Sequence, residues 1–149
     1  MATHARLLKI LLVEDSKSDA ILIQRTLKGS KFLNEIHLVR DGVEASDFLY
    51  QRGKHVDAPR PDMILLDLNL PKKNGRELLA EIKADDNLMT IPVAILTTSS
   101  DEADILRSYQ LHANCYLVKP VNLDQFVEVV KSIEHFWFAL VELPPEQSS

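Results

Sequence analysis

The sequence predicts an α/β fold, a doubly wound three-layer sandwich in which helices cover both faces of a parallel sheet. Two observations carry this. Short β-rich apolar runs alternate with longer segments of helical periodicity, giving five βα units. The runs are also apolar at consecutive positions, and a strand that is apolar on both sides needs helices on both faces of its sheet. Strict alternation then implies right-handed crossovers between parallel strands. A chain of 149 residues fits one domain with a single substantial core.

Leu8 to Val13 is the first strand, and Ser16 caps a helix that runs to about Lys28, with Gly29 near its stop. Glu35 to Val39 is the second strand. Asp41-Gly42 turns the chain into a helix over Val43 to Arg52. The stretch "GKHVDAPRP", Gly53 to Pro61, is a polar loop, because Pro59 and Pro61 bias the residues before them away from helix. Met63 to Leu66 is the third strand and Pro71 to Asn74 a loop. Gly75 to Ala84 then places Leu78, Leu79 and Ile82 on one helical face. Val93 to Leu96 is the fourth strand, Asp101 to Gln110 the fourth helix, Cys115 to Val118 the fifth strand and Leu123 to about Phe138 the last helix.

Composition excludes several classes of function. Hydrophobic content of 46% and charged content of 26% are those of a globular protein, and 17 Lys and Arg against 22 Asp and Glu leave a net charge of −5. That balance argues against a nucleic-acid surface. The single cysteine, Cys115, has no internal disulfide partner, and no Cys/His cluster suggests structural zinc. Leu7 to Val13, interrupted by Lys9 and Glu14, is too short for a signal-peptide core or a membrane span, so a cytoplasmic protein is expected.

In an open α/β sheet, polar groups at the carboxyl ends of the strands converge on a crevice. Here the first strand delivers Glu14 and Asp15, the third Asp67, the fourth Thr97 and Thr98, and the fifth Lys119 followed by Pro120. Taken singly, each has a plain structural reading. An acidic pair after a strand is more often a solvated turn or helix start, Asp67 suits a turn before Leu70-Pro71, and either threonine can be a β-former or a helix cap. Joint placement at four strand ends points instead to chemistry. Clustered carboxylates raise one another's pKa unless a cation sits among them. Mg²⁺ takes oxygen ligands, commonly one or two carboxylates with water and phosphate oxygens. If a phosphoryl group enters, Lys119 can pair with one oxygen and Thr97 donate to another. Asp67, alone at the end of the central strand, is then the nucleophile, and Glu14 and Asp15 hold the metal.

The segments "LLVED", "ILLDLNLP" with "NG" following, "ILTTS" and "YLVKP", in that order and spacing, resemble the receiver domain of two-component response regulators, over residues 8 to 136. The resemblance implies a flavodoxin-like fold with strand order 2-1-3-4-5. It implies that Asp67 accepts a phosphoryl group from a phosphohistidine on a sensor histidine kinase, so that the protein is a signalling switch rather than an enzyme. Glu14 and Asp15, with the backbone carbonyl of Asn69, would hold Mg²⁺, for which Mn²⁺ can substitute. Thr97, 22 positions before Lys119, would be the switch hydroxyl. Lys119 would precede a cis peptide to Pro120, and Tyr116 would be the aromatic that moves on activation, although without the family it reads as ordinary strand packing. The loop "RGKHVDAPRPD", the opening "EDSKSD" and the tail "HFWFALVELPPE" resemble, more narrowly, the stand-alone regulators paired with cyanobacterial and bacterial phytochrome kinases. A single domain spanning 1–149, with a tail from 137, leaves no room for an effector domain.

Two rival readings use the same residues. A phosphohydrolase with an aspartate nucleophile typically carries a second aspartate two positions later as general acid, and that position is Asn69. A pseudo-receiver scaffold that is never phosphorylated would not need the complete site. The five histidines, His4, His37, His55, His112 and His135, share no spacing and read as surface or loop residues. Finally, Phe136, Trp137 and Phe138 are consecutive, and neighbours on a helix point about 100° apart, so they cannot all face one core. With the apolar run that continues to Pro144-Pro145, they suggest a homodimer interface.

Overall fold

The structure, a computed structural model, describes residues 7–29, 33–98 and 115–132. Within them, five strands form one parallel sheet in the order β2-β1-β3-β4-β5. The strands are β1 (Leu8–Val13), β2 (Asn34–Val39), β3 (Met63–Asp67), β4 (Val93–Thr97) and β5 (Cys115–Val118). Four α-helices are described, α1 (Lys17–Lys28), α2 (Gly42–Leu49), α3 (Gly75–Ala84) and α4 (Leu123–Ser132). The expected helix over Asp101 to Gln110 lies outside the described residues, as does the expected continuation of the last helix to Phe138.

The double winding follows from the alternation of side chains along each strand. In β1, Leu8, Ile10 and Leu12 face a layer made by Ala20, Ile23 and Leu27 of α1 with Phe126, Val129 and Val130 of α4. The intervening Leu11 and Val13 face the opposite layer, built from Ala45, Phe48 and Leu49 of α2 with Leu78, Leu79 and Ile82 of α3. In α1 the spacing of Ala20, Ile23 and Leu27 keeps one face buried, and the hydroxyl of Ser16 accepts from the Asp19 N–H at 3.2 Å to start the helix. A capping box between Asn74 and Glu77 starts α3.

Beyond one-residue shifts at the ends of β2, β3 and β4, two elements differ from the sequence reading. Helix α2 stops at Leu49 instead of Arg52, because Gln51 turns into the left-handed region at φ 55° and its side chain donates to the carbonyl of Ala58 at 2.7 Å. The loop that follows contains one turn of 3₁₀ helix, Gly53–His55. His55 lies in the loop as expected, whereas His37 lies within β2; both are partly buried, each with its ring centroid 5.4 Å from that of Phe48. Each has a carboxylate partner, Glu35 for His37 and Glu44 for His55. His4, His112 and His135 lie outside the described residues.

Strand order reverses between β1 and β3, where β2 lies on one side of β1 and the later strands lie on the other. That switch point opens a crevice at the carboxyl ends of the strands.

Candidate functional site

Three strand ends supply the polar groups of the crevice. Glu14 and Asp15 follow β1 directly, Asp67 is the last residue of β3, and Lys119 follows β5. Lys119 comes into place because its backbone N–H donates to the carbonyl of Thr97 at 2.8 Å, which ties it to the end of β4. The Lys119–Pro120 peptide is cis.

The ammonium of Lys119 is surrounded by acids. It donates to Asp67 Oδ2 at 2.9 Å and to Asp19 Oδ2 at 3.0 Å. Glu14 Oε1 is 2.7 Å away as an ion-pair contact, but off hydrogen-bond geometry, so that this fully buried oxygen accepts no hydrogen bond. The other oxygen of Glu14 accepts from the Ser16 N–H at 3.1 Å. Asp67 Oδ1 accepts from the N–H of Asn69 at 2.9 Å. Asp15 is exposed.

The charges are unbalanced, and the titration behaviour reports it. Burial pushes the Glu14 carboxyl up to about 7; Lys119 and the Ser16 N–H oppose the rise, and the Asp67 charge adds to it. Burial works to lower the Lys119 ammonium, yet Glu14, Asp67 and Asp19 together hold it well above the ordinary lysine range. Lys119 therefore stays charged, and the carboxylates around it still outnumber it.

A divalent cation fits this arrangement. One carboxylate oxygen from each of Glu14, Asp15 and Asp67 lies within 4.8 Å of the others. Side-chain rotations that bring these oxygens closer together would let all three reach one small hard cation. The donors are all hard oxygen, and the orphaned Glu14 Oε1 has lone pairs to offer.

The remaining expected residues sit as follows. Thr97 ends β4 and is buried. Tyr116 of β5 packs partly buried against the core layer of α2 and α3, level with Ile95 of β4. Asn69 is exposed, and its N–H is already engaged by Asp67. Phe136, Trp137 and Phe138 lie outside the described residues.

Two residues have roles that the sequence reading did not give them. Asp19 joins the Lys119 ammonium from the first turn of α1. No local signal in "EDSKSD" marks it, because the contact joins residues 100 positions apart. Gly75 is the other. A Cβ there would meet Leu68 Cα at 2.4 Å and the Asp67 carbonyl at 2.6 Å, so only glycine lets α3 start against the backbone that carries Asp67.

A five-stranded parallel sheet in this order, with an acidic pair, a third carboxylate and a lysine meeting at its switch point, defines a phosphoryl-accepting receiver architecture. The chain belongs to the response regulator receiver domain family, whose match spans residues 10–131. It is 54% identical over 135 residues to the response regulator Rcp1 of Synechocystis sp., covering 91% of this chain and 92% of that one. The crystal structure of the Mn²⁺-bound form of Rcp1 superposes with a TM-score of 0.71 at 55% identity, over 91% of this chain and 98% of that one. The phosphorylated cyanobacterial phytochrome response regulator RcpA gives 0.72 at 54% identity, over 93% and 99%. The bacteriophytochrome response regulator RtBRR gives 0.82 at 44% identity, over 94% and 86%. No helix among the described residues is long and apolar enough to cross a membrane.

Proposed function

We propose that Asp67 is the phosphoacceptor of this receiver domain, which takes its phosphoryl group from a sensor histidine kinase of the phytochrome class. The observation that carries this reading is the convergence on one Asp67 carboxylate of the Lys119 ammonium, at 2.9 Å, and the acidic pair Glu14 and Asp15. The kinase class is supported by the likeness to Rcp1, RcpA and RtBRR.

Mg²⁺, with Mn²⁺ able to replace it, would be held by Glu14, Asp15, Asp67 and the carbonyl of Asn69. Bound there, the ion neutralises the carboxylates and the oxygens of the incoming phosphoryl group. The chain's own residues do the rest. Asp67 Oδ2 attacks phosphorus as the P–N bond to the kinase's phosphohistidine breaks and the imidazole leaves, while Asp67 Oδ1 stays fixed by the Asn69 N–H. Lys119 pairs with a phosphoryl oxygen, and the Thr97 hydroxyl moves toward another. The resulting aspartyl phosphate adds roughly −1 to −2 charge, by analogy with other side-chain phosphorylations. Drawing Thr97 inward opens space for Tyr116, and the face beside β5 changes shape.

The output is association rather than turnover. Phe136, Trp137 and Phe138 would contribute to a homodimer whose affinity is coupled to phosphorylation. The compartment is the cytoplasm, and the partners are proteins rather than nucleic acid or membrane. Phosphotransfer from purified phytochrome-class and other histidine kinases tests the reading. Labelling of wild type by a phytochrome-class kinase, and none of Asp67→Asn, is the expected result. Undiminished labelling of Asp67→Asn overturns the assignment.

A further inference from the structure

We propose that Asp19 is a positioning residue of this site: its carboxylate holds the Lys119 ammonium in competition with Asp67, and so sets how readily an anionic phosphodonor is accepted. The inference rests on the reading of Asp67 as phosphoacceptor and concerns a residue to which that reading gives no role.

An ammonium has three N–H donors and no acceptor. Lys119 donates to Asp19 and Asp67 and touches Glu14 as an ion pair, so three carboxylates already surround it before any phosphoryl group arrives. For Lys119 to pair with a phosphoryl oxygen, one of the three must let go. Asp67 is the group being modified. Glu14 is fully buried and cannot recover its hydration if its cation leaves. The Asp19 side chain is 38% exposed, so water can replace the ammonium there at small cost. Asp19 is therefore the exchangeable partner.

Its charge also acts at a distance. Asp19 Oδ2 and Asp67 Oδ2 both touch one nitrogen, at 3.0 and 2.9 Å, which places them no more than about 6 Å apart. A phosphodonor approaching Asp67 meets that negative charge at close range. The position is fixed rather than incidental, because the Asp19 N–H donates to the Ser16 hydroxyl in the first turn of α1. The competing explanation is that Asp19 only supports the start of α1, where an acidic side chain is favourable.

Acetyl phosphate provides the test. A P–O bond forms to an Asp67 carboxylate oxygen as the P–O bond to acetate breaks, and acetate leaves as the anion. Initial rates of aspartyl phosphate formation are measured against acetyl phosphate concentration for wild type, Asp19→Asn and Asp19→Glu, at saturating Mg²⁺ so that metal affinity does not enter. Asp19→Asn is expected to reach its half-maximal rate at a concentration about three- to tenfold lower than wild type. That difference shrinks at high salt, and Asp19→Glu follows wild type. An Asp19→Asn variant whose melting temperature shifts but whose dependence on acetyl phosphate does not would leave Asp19 as a helix-start residue and overturn the proposal.

A wild type that never becomes phosphorylated would instead count against the reading of Asp67. The contact has its own readout for that case. The ¹⁵N resonance of the Lys119 ammonium, in unphosphorylated metal-free protein, is expected to be sharp in wild type and broadened by faster proton exchange in Asp19→Asn. An unchanged resonance overturns the proposal whatever the phosphorylation result.

Discussion

Two lysines of this molecule sit in polar clusters of opposite character. Lys73, in the loop between β3 and α3, donates to the Ser46 hydroxyl of α2 at 2.9 Å and to the Glu81 carboxylate of α3, and Ser46 donates to the same carboxylate at 3.0 Å. The Lys73 charge meets the Glu81 carboxylate, and the hydroxyls of Ser46 and Tyr50 complete the hydrogen bonds of that carboxylate. Lys119 meets three carboxylates, with Asp15 adding a fourth to the crevice, and one buried oxygen of Glu14 accepts no hydrogen bond. Their carboxylates titrate accordingly. Burial alone would raise Glu81, but Lys73 and Ser46 outweigh it and hold its carboxyl below the usual range. Glu14 goes the other way. A balanced cluster is complete in itself and holds helices together, whereas an excess of one sign at converging strand ends awaits a ligand.

The comparison can be broken at either cluster, and the largest effect is expected at the unbalanced one. Asp15→Ala should weaken Mg²⁺ or Mn²⁺ binding by about a hundredfold or more, since losing a direct ligand costs at least as much as losing a group that only supports one. Glu14→Ala should weaken it less, because Glu14 offers the ion a single buried oxygen that shares its charge with the Lys119 ammonium 2.7 Å away, while Asp15 is open to the ion. Calorimetric metal titration of the two variants decides, and equal affinities would contradict the ranking.

Next in size is a substitution that wedges the balanced cluster apart. A Cβ at Gly42 would meet the Lys73 carbonyl oxygen at 2.0 Å, so Gly42→Ala must push the β3–α3 loop away from α2. Urea unfolding should show a loss of about 2 kcal/mol, the cost of overpacking a tight contact. A loss under a few tenths would mean that the loop moves freely.

The smallest effect is expected from charge alone. Glu81→Gln should cost about 1 kcal/mol at neutral pH, as expected for a partly exposed pair hydrogen-bonded on both sides, and leave phosphorylation rates within about twofold of wild type. Its pH dependence carries the sign. The folded-state carboxyl of Glu81 is lowered, so its contribution is full above the ordinary carboxylate pKa and is lost as pH falls through the lowered value. The deficit of Glu81→Gln should therefore shrink in acid, and a deficit that is constant from neutral to acid pH would remove Lys73–Glu81 from the account.

What the sequence revealed follows from where its periodicity is informative. The β/α alternation and the consecutive apolar residues of the strands led directly to the sheet and to the ends of its strands, because a buried strand has few other ways to be written. Glu14, Asp15, Asp67, Thr97 and Lys119 were legible for that reason. Asp19 was not, since its contact with Lys119 spans 100 positions and depends on how α1 is rotated over the sheet. The Ser46, Lys73 and Glu81 cluster was hidden in the same way, joining α2, a loop and α3 through side chains that any solvated helix face could carry. Gly75 was read as part of a motif, and its reason, the approach of α3 to the backbone of Asp67 and Leu68, appears only in three dimensions. The early end of α2 turned on one residue, Gln51, whose left-handed φ no propensity signals.

The central claim is that the crevice accepts a phosphoryl group on Asp67 with the help of a divalent cation. Borohydride reduction of the acetyl phosphate-treated protein, followed by peptide mass spectrometry, tests it most directly, because reduction converts an aspartyl phosphate to homoserine at the modified position. Homoserine at position 67 in the presence of Mg²⁺, and none when the metal is removed with a chelator, is the predicted result. Homoserine at position 15 or 19, or at position 67 to the same extent without metal, would contradict it.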